Sequence, residues 1–188
     1  MRMKNILKNR MALSTVVTTL IILVVSVLLA GVVTYFAINV TSTRVQEESL
    51  QISKLHVWYD SGSSAAQAAF LIMNTGGRDV VINKLTVRGQ EATWADVYTK
   101  VASPTDDLAF SSTLSTDHKY YTMTGGVSTA VAAMTAASGD ITLQSGNSLV
   151  VYIHAPDSIT INDIGLTVGV TVFTSQAMYY QEANVQST

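Results

Sequence analysis

The chain has 188 residues, a net charge of −2, 13% charged residues and no cysteine. Without cysteine it can hold neither a disulfide nor a thiolate metal site, and its acidic balance offers no basic footprint for nucleic acid. The charged share is about half the usual value of roughly 25%, while Ser and Thr are abundant and proline occurs twice. These features describe a surface rich in hydroxyls and poor in charge.

The charge is unevenly spread. Arg2, Lys4, Lys8 and Arg10 give the first ten residues +4 with no acid, leaving seven basic and thirteen acidic residues, or −6, for the remainder. From Met11 to Thr43 no residue is charged, and the densest apolar part, Leu13 to Val40, is 28 residues long. As a helix this part would measure about 42 Å, against a bilayer hydrocarbon core of about 30 Å. Val, Ile, Leu and Thr dominate it, and Gly31 is its one glycine. β-Branched residues weaken a helix in water, but in lipid the backbone must satisfy its own hydrogen bonds, which enforces the helix. The basic leader predicts an N-terminus on the cytoplasmic side and the remainder outside. An ordinary secretory signal fits poorly. Its apolar core is about 7–15 residues and ends at a small-x-small site, whereas here Ala30 follows Leu28 and Ala37 follows Tyr35 at that spacing.

Beyond the apolar run, Val45, Ser49 and Ile52 fall on one helical face, with Leu50 beside them. Arg44, Glu47, Glu48 and Gln51 fall elsewhere, the period of an amphipathic helix. The pattern predicts one helix from Leu13 to Ser53, apolar all round at first and dry on one face at its end.

A basic leader, then Arg10-Met11-Ala12, then Leu13-Ser14-Thr15-Val16-Val17-Thr18-Thr19-Leu20 and a long apolar run resembles an archaeal type IV pilin-like precursor. The resemblance covers about the first 55 residues. It implies a class III signal (1–12) that a dedicated prepilin peptidase cuts between Ala12 and Leu13, with Arg10 and Met11 completing the processing site. The apolar helix (13–53) then stays with the product, as a transmembrane segment first and a filament core later. Met11 departs from the pattern in which the basic residue abuts the small one. Bacterial type IV pilins usually carry Glu at the fifth position after the cut, where this chain has Val17; many archaeal members lack that Glu. The core-forming positions so implied are Leu13, Val17, Leu20, Leu23, Val27, Ala30, Gly31, Thr34 and Ile38. Thr15, Thr18, Thr19, Ser26 and Thr34 can bond within the helix or to neighbouring helices. The sequon Asn39-Val40-Thr41 makes Asn39 the candidate glycosylation site, in a stretch that a packed filament core would cover.

The head (54–188) switches to period two. Leu55, Val57 and Tyr59 alternate with Lys54, His56 and Trp58. The stretch FLIMNTGGRDVVINKLTVRG reads as strand, Gly-rich turn and strand, a hairpin. Val80 and Ile82 are out of phase with Leu85 and Val87, which a bulge near Asn83-Lys84 repairs. Gln90 to Gly139 is irregular, with short strands, surface loops and a small helix expected around Val127–Ala136. Ser148 to His154 reads as a strand, and Ile159 and Ile161 flank a short one. Leu166, Val168, Val170 and Val172 alternate cleanly, and Met178 and Tyr180 begin a last strand after a turn at 174–176. The fold class expected is α+β: a long N-terminal hydrophobic helix followed by an antiparallel, Ig-like β-sandwich.

Catalytic and metal chemistry finds no motif. His56, His118 and His154 are far apart in sequence, outside any metal-ligand spacing. The loop pairs Asp106-Asp107 and Asp117-His118 offer fewer oxygens than the roughly 6–8 that Ca²⁺ takes. No GxSxG elbow occurs. Gly76-Gly77 and Gly125-Gly126 read as turn glycines. Neither an enzyme nor a cofactor is expected. The sequence points to a structural subunit of an extracellular filament at the cell surface. Its expected partners are copies of itself, the membrane before assembly, the peptidase, and an ATP-driven membrane platform. An archaellin of the same superfamily is the alternative within filaments. A single-pass anchored surface domain that never polymerises is the alternative outside them.

Overall fold

The computed structural model describes the backbone of residues 3–45 and 47–188, and the side chains of 13–42 and 47–188. The chain divides into two compact units, residues 1–45 and 46–188. The first is a single helix, α1 (Met3–Val45). It ends earlier than the amphipathic pattern predicts. Residues 50–53 belong instead to strand β1 (Leu50–Asp60), where Leu50, Gln51, Ile52 and Ser53 pair with Asn74, Met73, Ile72 and Leu71 of β2 (Ala65–Asn74). Leu50 is buried in the head's own core. Four residues of cross-strand pairing plus that burial outweigh a one-faced helical pattern, because local periodicity yields to tertiary contact.

The second unit is almost entirely β. After β2 come β3 (Val80–Val87), β4 (Gln90–Glu91), β5 (Val97–Val101) and β6 (Asp107–Ala109). A one-turn helix, α2 (Leu114–Asp117), precedes β7 (Lys119–Thr124), β8 (Val127–Ala133), β9 (Thr135–Ala136) and β10 (Ile141–Leu143). The chain closes with β11 (Ser148–His154), β12 (Thr167–Thr174) and β13 (Met178–Ser187). One curled sheet runs β10-β3-β12-β13-β1-β2-β11-β5-β9, with β4 on β3, and a small second sheet runs β6-β7-β8. All strand pairs in the two sheets are antiparallel except β1 with β13, which run parallel from Val57↔Val185 to Tyr59↔Ser187.

The curl encloses the larger core. Val57, Phe70, Ile72 and Val151 come from one side, and Ile82, Leu85, Val168, Val170 and Val172 from the other. A second core lies between the outer face of β1, β2 and β11 (Trp58, Ala69, Leu71, Val150, Tyr152) and the small sheet with α2 (Leu108, Tyr120, Leu114). Strand β2 is therefore buried on both faces, which explains its unbroken apolar run. Deep in it, the Gln67 side chain accepts from Ser111 N–H at 2.8 Å and donates to Ser111 C=O at 3.1 Å, so its burial leaves no open bond.

The hairpin read from residues 70–89 does not form. β2 pairs with β1 and β11, whereas β3 pairs with β12, β10 and β4. Buried Asn74 turns the chain away from its predecessor. Its Nδ2 donates to the carbonyls of Arg78 (2.8 Å) and Leu143 (3.1 Å), and its Oδ1 accepts from Gly76 N–H (3.0 Å). Gly76 passes so close to the backbone of Glu47 and Ser49 that a Cβ would stand 2.6–2.7 Å from them. The bulge expected near Asn83-Lys84 is present. Phe173 pairs with Lys84 and Thr174 with Ile82, leaving exposed Asn83 as the extra residue that brings both apolar pairs inward.

Two further expectations are corrected. Residues 127–133 are strand β8, not helix, because the Gly125-Gly126 turn, both φ positive at 59° and 82°, folds them back onto β7. Glycine supplies that left-handed geometry, and the turn matches strand twist. Ile161–Asp163 is a 3-10 turn, not a strand flank: Asp163 accepts from the Thr160 backbone N–H and hydroxyl, both at 2.8 Å, in a capping box.

Candidate functional site: an exposed apolar helix

The described side chains of α1 make one continuous surface. Leu13–Ser42 is long and apolar enough to cross a membrane, and none of it is buried within the chain. The large apolar residues are uniformly exposed, from 44% at Val40 to 71% at Tyr35. A soluble protein rarely leaves so large an apolar area to water. The surface needs a nonaqueous partner, lipid or protein.

Four of its hydroxyls bond back to the helix itself. The hydroxyls of Thr18, Ser26 and Thr34 donate to the carbonyls of Ser14 (2.8 Å), Ile22 (2.7 Å) and Ala30 (2.8 Å), one turn back. Thr19 donates to Val16 at 2.9 Å. This is the satisfaction that a hydrocarbon environment demands. Gly31 has no heavy atom within 4 Å of where its Cβ would stand, so it opens a notch in the surface.

Leu13, Val17, Leu20, Leu23, Val27, Ala30, Gly31, Thr34 and Ile38 all lie exposed on this helix, and Asn39 lies in its last two turns. They form a stripe by helical spacing alone. The side chains of Arg10, Met11 and Ala12 lie outside the described residues, and Leu13 is the first described one.

The polar clusters of the head are structural. Lys54, at φ 52°, extends its ammonium to the carbonyls of Pro104 (2.6 Å), Thr105 (2.9 Å) and Asp106 (2.5 Å), pinning the loop before β6. His56 Nε2 meets Asp107 Oδ2 at 3.0 Å, and its ring stacks on Trp58 at 5.3 Å. His118, at φ 51°, stacks on Tyr98 at 4.6 Å. His56 and His118 thus serve separate places, and no group of three metal-ligating side chains occurs among the described residues. Nothing in the sequence marked the Lys54 clamp. Its left-handed backbone arises at the bulge between Ser53 and His56, which is visible only in the register with β2.

No protein-family model matches the chain, and no curated protein proves similar to it.

Proposed function

We propose that the chain is a pilin-like structural subunit of an archaeal type IV-like extracellular filament, acting in surface adhesion or cell–cell contact. The observation that carries this reading is the all-round apolar surface of Leu13–Ser42, with Thr18, Thr19, Ser26 and Thr34 bonded back to the helix. It follows directly on a basic leader whose charge stops at Arg10. A monomer dissolves that helix in the bilayer. Once the leader is removed, packing against identical helices is the other environment that suits it. Burial of each large apolar side chain is worth about 1.5–3 kcal/mol relative to water, but lipid supplies nearly the same gain. Transfer from membrane to filament therefore calls for an external energy source, an ATP-driven platform. The head, with its low charge and its large core inside a curled sheet, fits an Ig-like sandwich and would form the filament's outer sheath.

The deciding experiment is mass spectrometry of surface material sheared from cells, together with electron microscopy. A mature chain beginning at Leu13 and assembled in filaments is expected. Replacing Arg10 and Ala12 should block both processing and assembly. An intact N-terminus at Met1 without filaments supports the single-pass anchored domain instead, and rotation of tethered cells would mark an archaellin.

A further inference from the structure

We infer that β8 is a docking edge for a second copy of this chain, pairing antiparallel with the same strand of its neighbour about a two-fold axis at Thr129. Strand β8 is the outer strand of the β6-β7-β8 sheet, with β7 as its one partner. Six of its seven residues are exposed, including Val127 (64%) and Val131 (51%). Natural edges are usually blunted by charge or proline. Here neither occurs from Met123 through Gly139, so nothing repels another strand.

The register says which residue sits on the axis. The two-residue turn makes Thr124 and Val127 a pair that exchanges its backbone bonds, and such pairs alternate along the ribbon. Val127 and Thr129 therefore bond inward to Thr124 and Thr122, while Ser128 and Ala130 direct N–H and C=O outward. An antiparallel partner that satisfies both must set Ser128 opposite Ala130 of the other copy. That places Thr129 face to face with Thr129. The skipped residue Val131, between the Tyr121↔Ala130 and Tyr120↔Ala132 pairs, bends the strand and limits the zipper to this short segment.

The choice of a second copy rests on the edges that the described residues offer. β4 and β9 span two residues each, and β10 and β6 three, with the charge of Asp107 in β6, while the stretch of β13 paired only with β12, Met178 to Asn184, carries Glu182. Another β8 is the matching edge in length and lack of charge. A two-fold contact closes on itself after two copies and cannot propagate a filament. Granting the filament reading above, the contact joins one filament to another, or one cell's filaments to another cell's.

The chain contains no cysteine, so single-cysteine variants of the full chain report the pairing directly. In a pair without mutual backbone bonds, Cα atoms lie about 4.5 Å apart, within disulfide reach. Thr129→Cys, in detergent-solubilised full-length protein and in intact cells, should give a disulfide-linked dimer as the main species. Ser128→Cys, also exposed but opposite Ala130, should stay monomeric. Thr129→Lys should abolish association and disperse bundled filaments into single ones. A monomeric Thr129→Cys, or equal cross-linking of Ser128→Cys, overturns the inference. The detergent measurement needs no filament, so failure of the filament reading alone would leave cross-linking intact.

Discussion

The Tyr152 hydroxyl stands 2.8 Å from the Ala109 carbonyl oxygen and within 3.0 Å of that of Tyr121. Tyr152 is fully buried on β11, while Ala109 and Tyr121 lie on β6 and β7. One phenol thus fastens the small sheet to the large one across the second core. Burial also pushes its ionisation well above the ordinary tyrosine value of 10.0, so it remains a donor throughout physiological pH.

Tyr152→Phe keeps the ring and removes the fastening. The one phenolic proton, shared between the buried Ala109 carbonyl and the half-buried Tyr121 carbonyl, is lost, which costs about 1–3 kcal/mol. Denaturant melts of the full chain in detergent should show a lower midpoint, with earlier exposure of Trp58, which packs in the same core. An unchanged midpoint would place the attachment in apolar packing alone.

Asp163 connects pH to stability. Its carboxyl is held below the ordinary value of 3.8, first by the Thr160 hydroxyl and backbone N–H, then by Arg88, whose Nη1 is 2.6 Å away. A depressed folded-state pKa gives stability that is present above the ordinary value and lost as pH falls through the depressed one. Asp163→Asn should therefore melt below the parent at pH 7. The gap should narrow below about pH 4 as the parent's carboxylate protonates. Parallel melting curves from pH 7 to pH 3 test the sign.

Gly76 is irreplaceable for a steric reason. A Cβ there would meet main-chain atoms of Glu47 and Ser49, which cannot rotate aside. The strand entry would have to shift, breaking the bonds from Thr75 and Gly76 N–H to the Ser49 carbonyl at 2.9 and 3.1 Å. Gly76→Ala is expected to cost about 1–3 kcal/mol. Gly89→Ala makes a useful contrast: its φ of 80° is strained for Ala, but nothing lies within 4 Å of the new atom. It should cost less, about 1 kcal/mol.

On the helix, Gly31→Leu fills the notch without adding polarity. Membrane insertion of the precursor should be unchanged, since leucine is favourable at a helix centre. Filament yield should fall, because small residues let helices approach closely. Equal yield by electron microscopy would remove Gly31 from any helix–helix contact.

Legibility in the sequence followed burial. Ser148–His154 and the alternation of Val168, Val170 and Val172 could be read because each has a strong apolar pattern that the core then uses. The bulge at Asn83 was visible as a phase slip between two apolar pairs. The partners of β2 were not visible. Asn74 and its three hydrogen bonds decide where the chain goes next, and an asparagine before two glycines looks the same in a hairpin turn. β8 failed for the opposite reason: it is an Ala-rich exposed ribbon, so composition favours helix and only the Gly125-Gly126 turn and the pairing with β7 make it a strand. The helix end was missed because residues 45–53 satisfy two periods, and Leu50 goes to the core that exists. For the apolar helix, length and hydropathy were enough to foresee an exposed surface. The clamp at Lys54 depends on a bulge register that no single segment records.

The parallel pairing of β1 with β13 has a mechanical meaning. The strand that receives the chain from the helix side is hydrogen-bonded to the last strand on one flank and to β2 on the other. Tension drawn along β1 loads the bonds of Val57↔Val185 through Tyr59↔Ser187 side by side, in shear, rather than one after another as in unzipping. A pull arriving through the first strand is thus resisted by the strand made last.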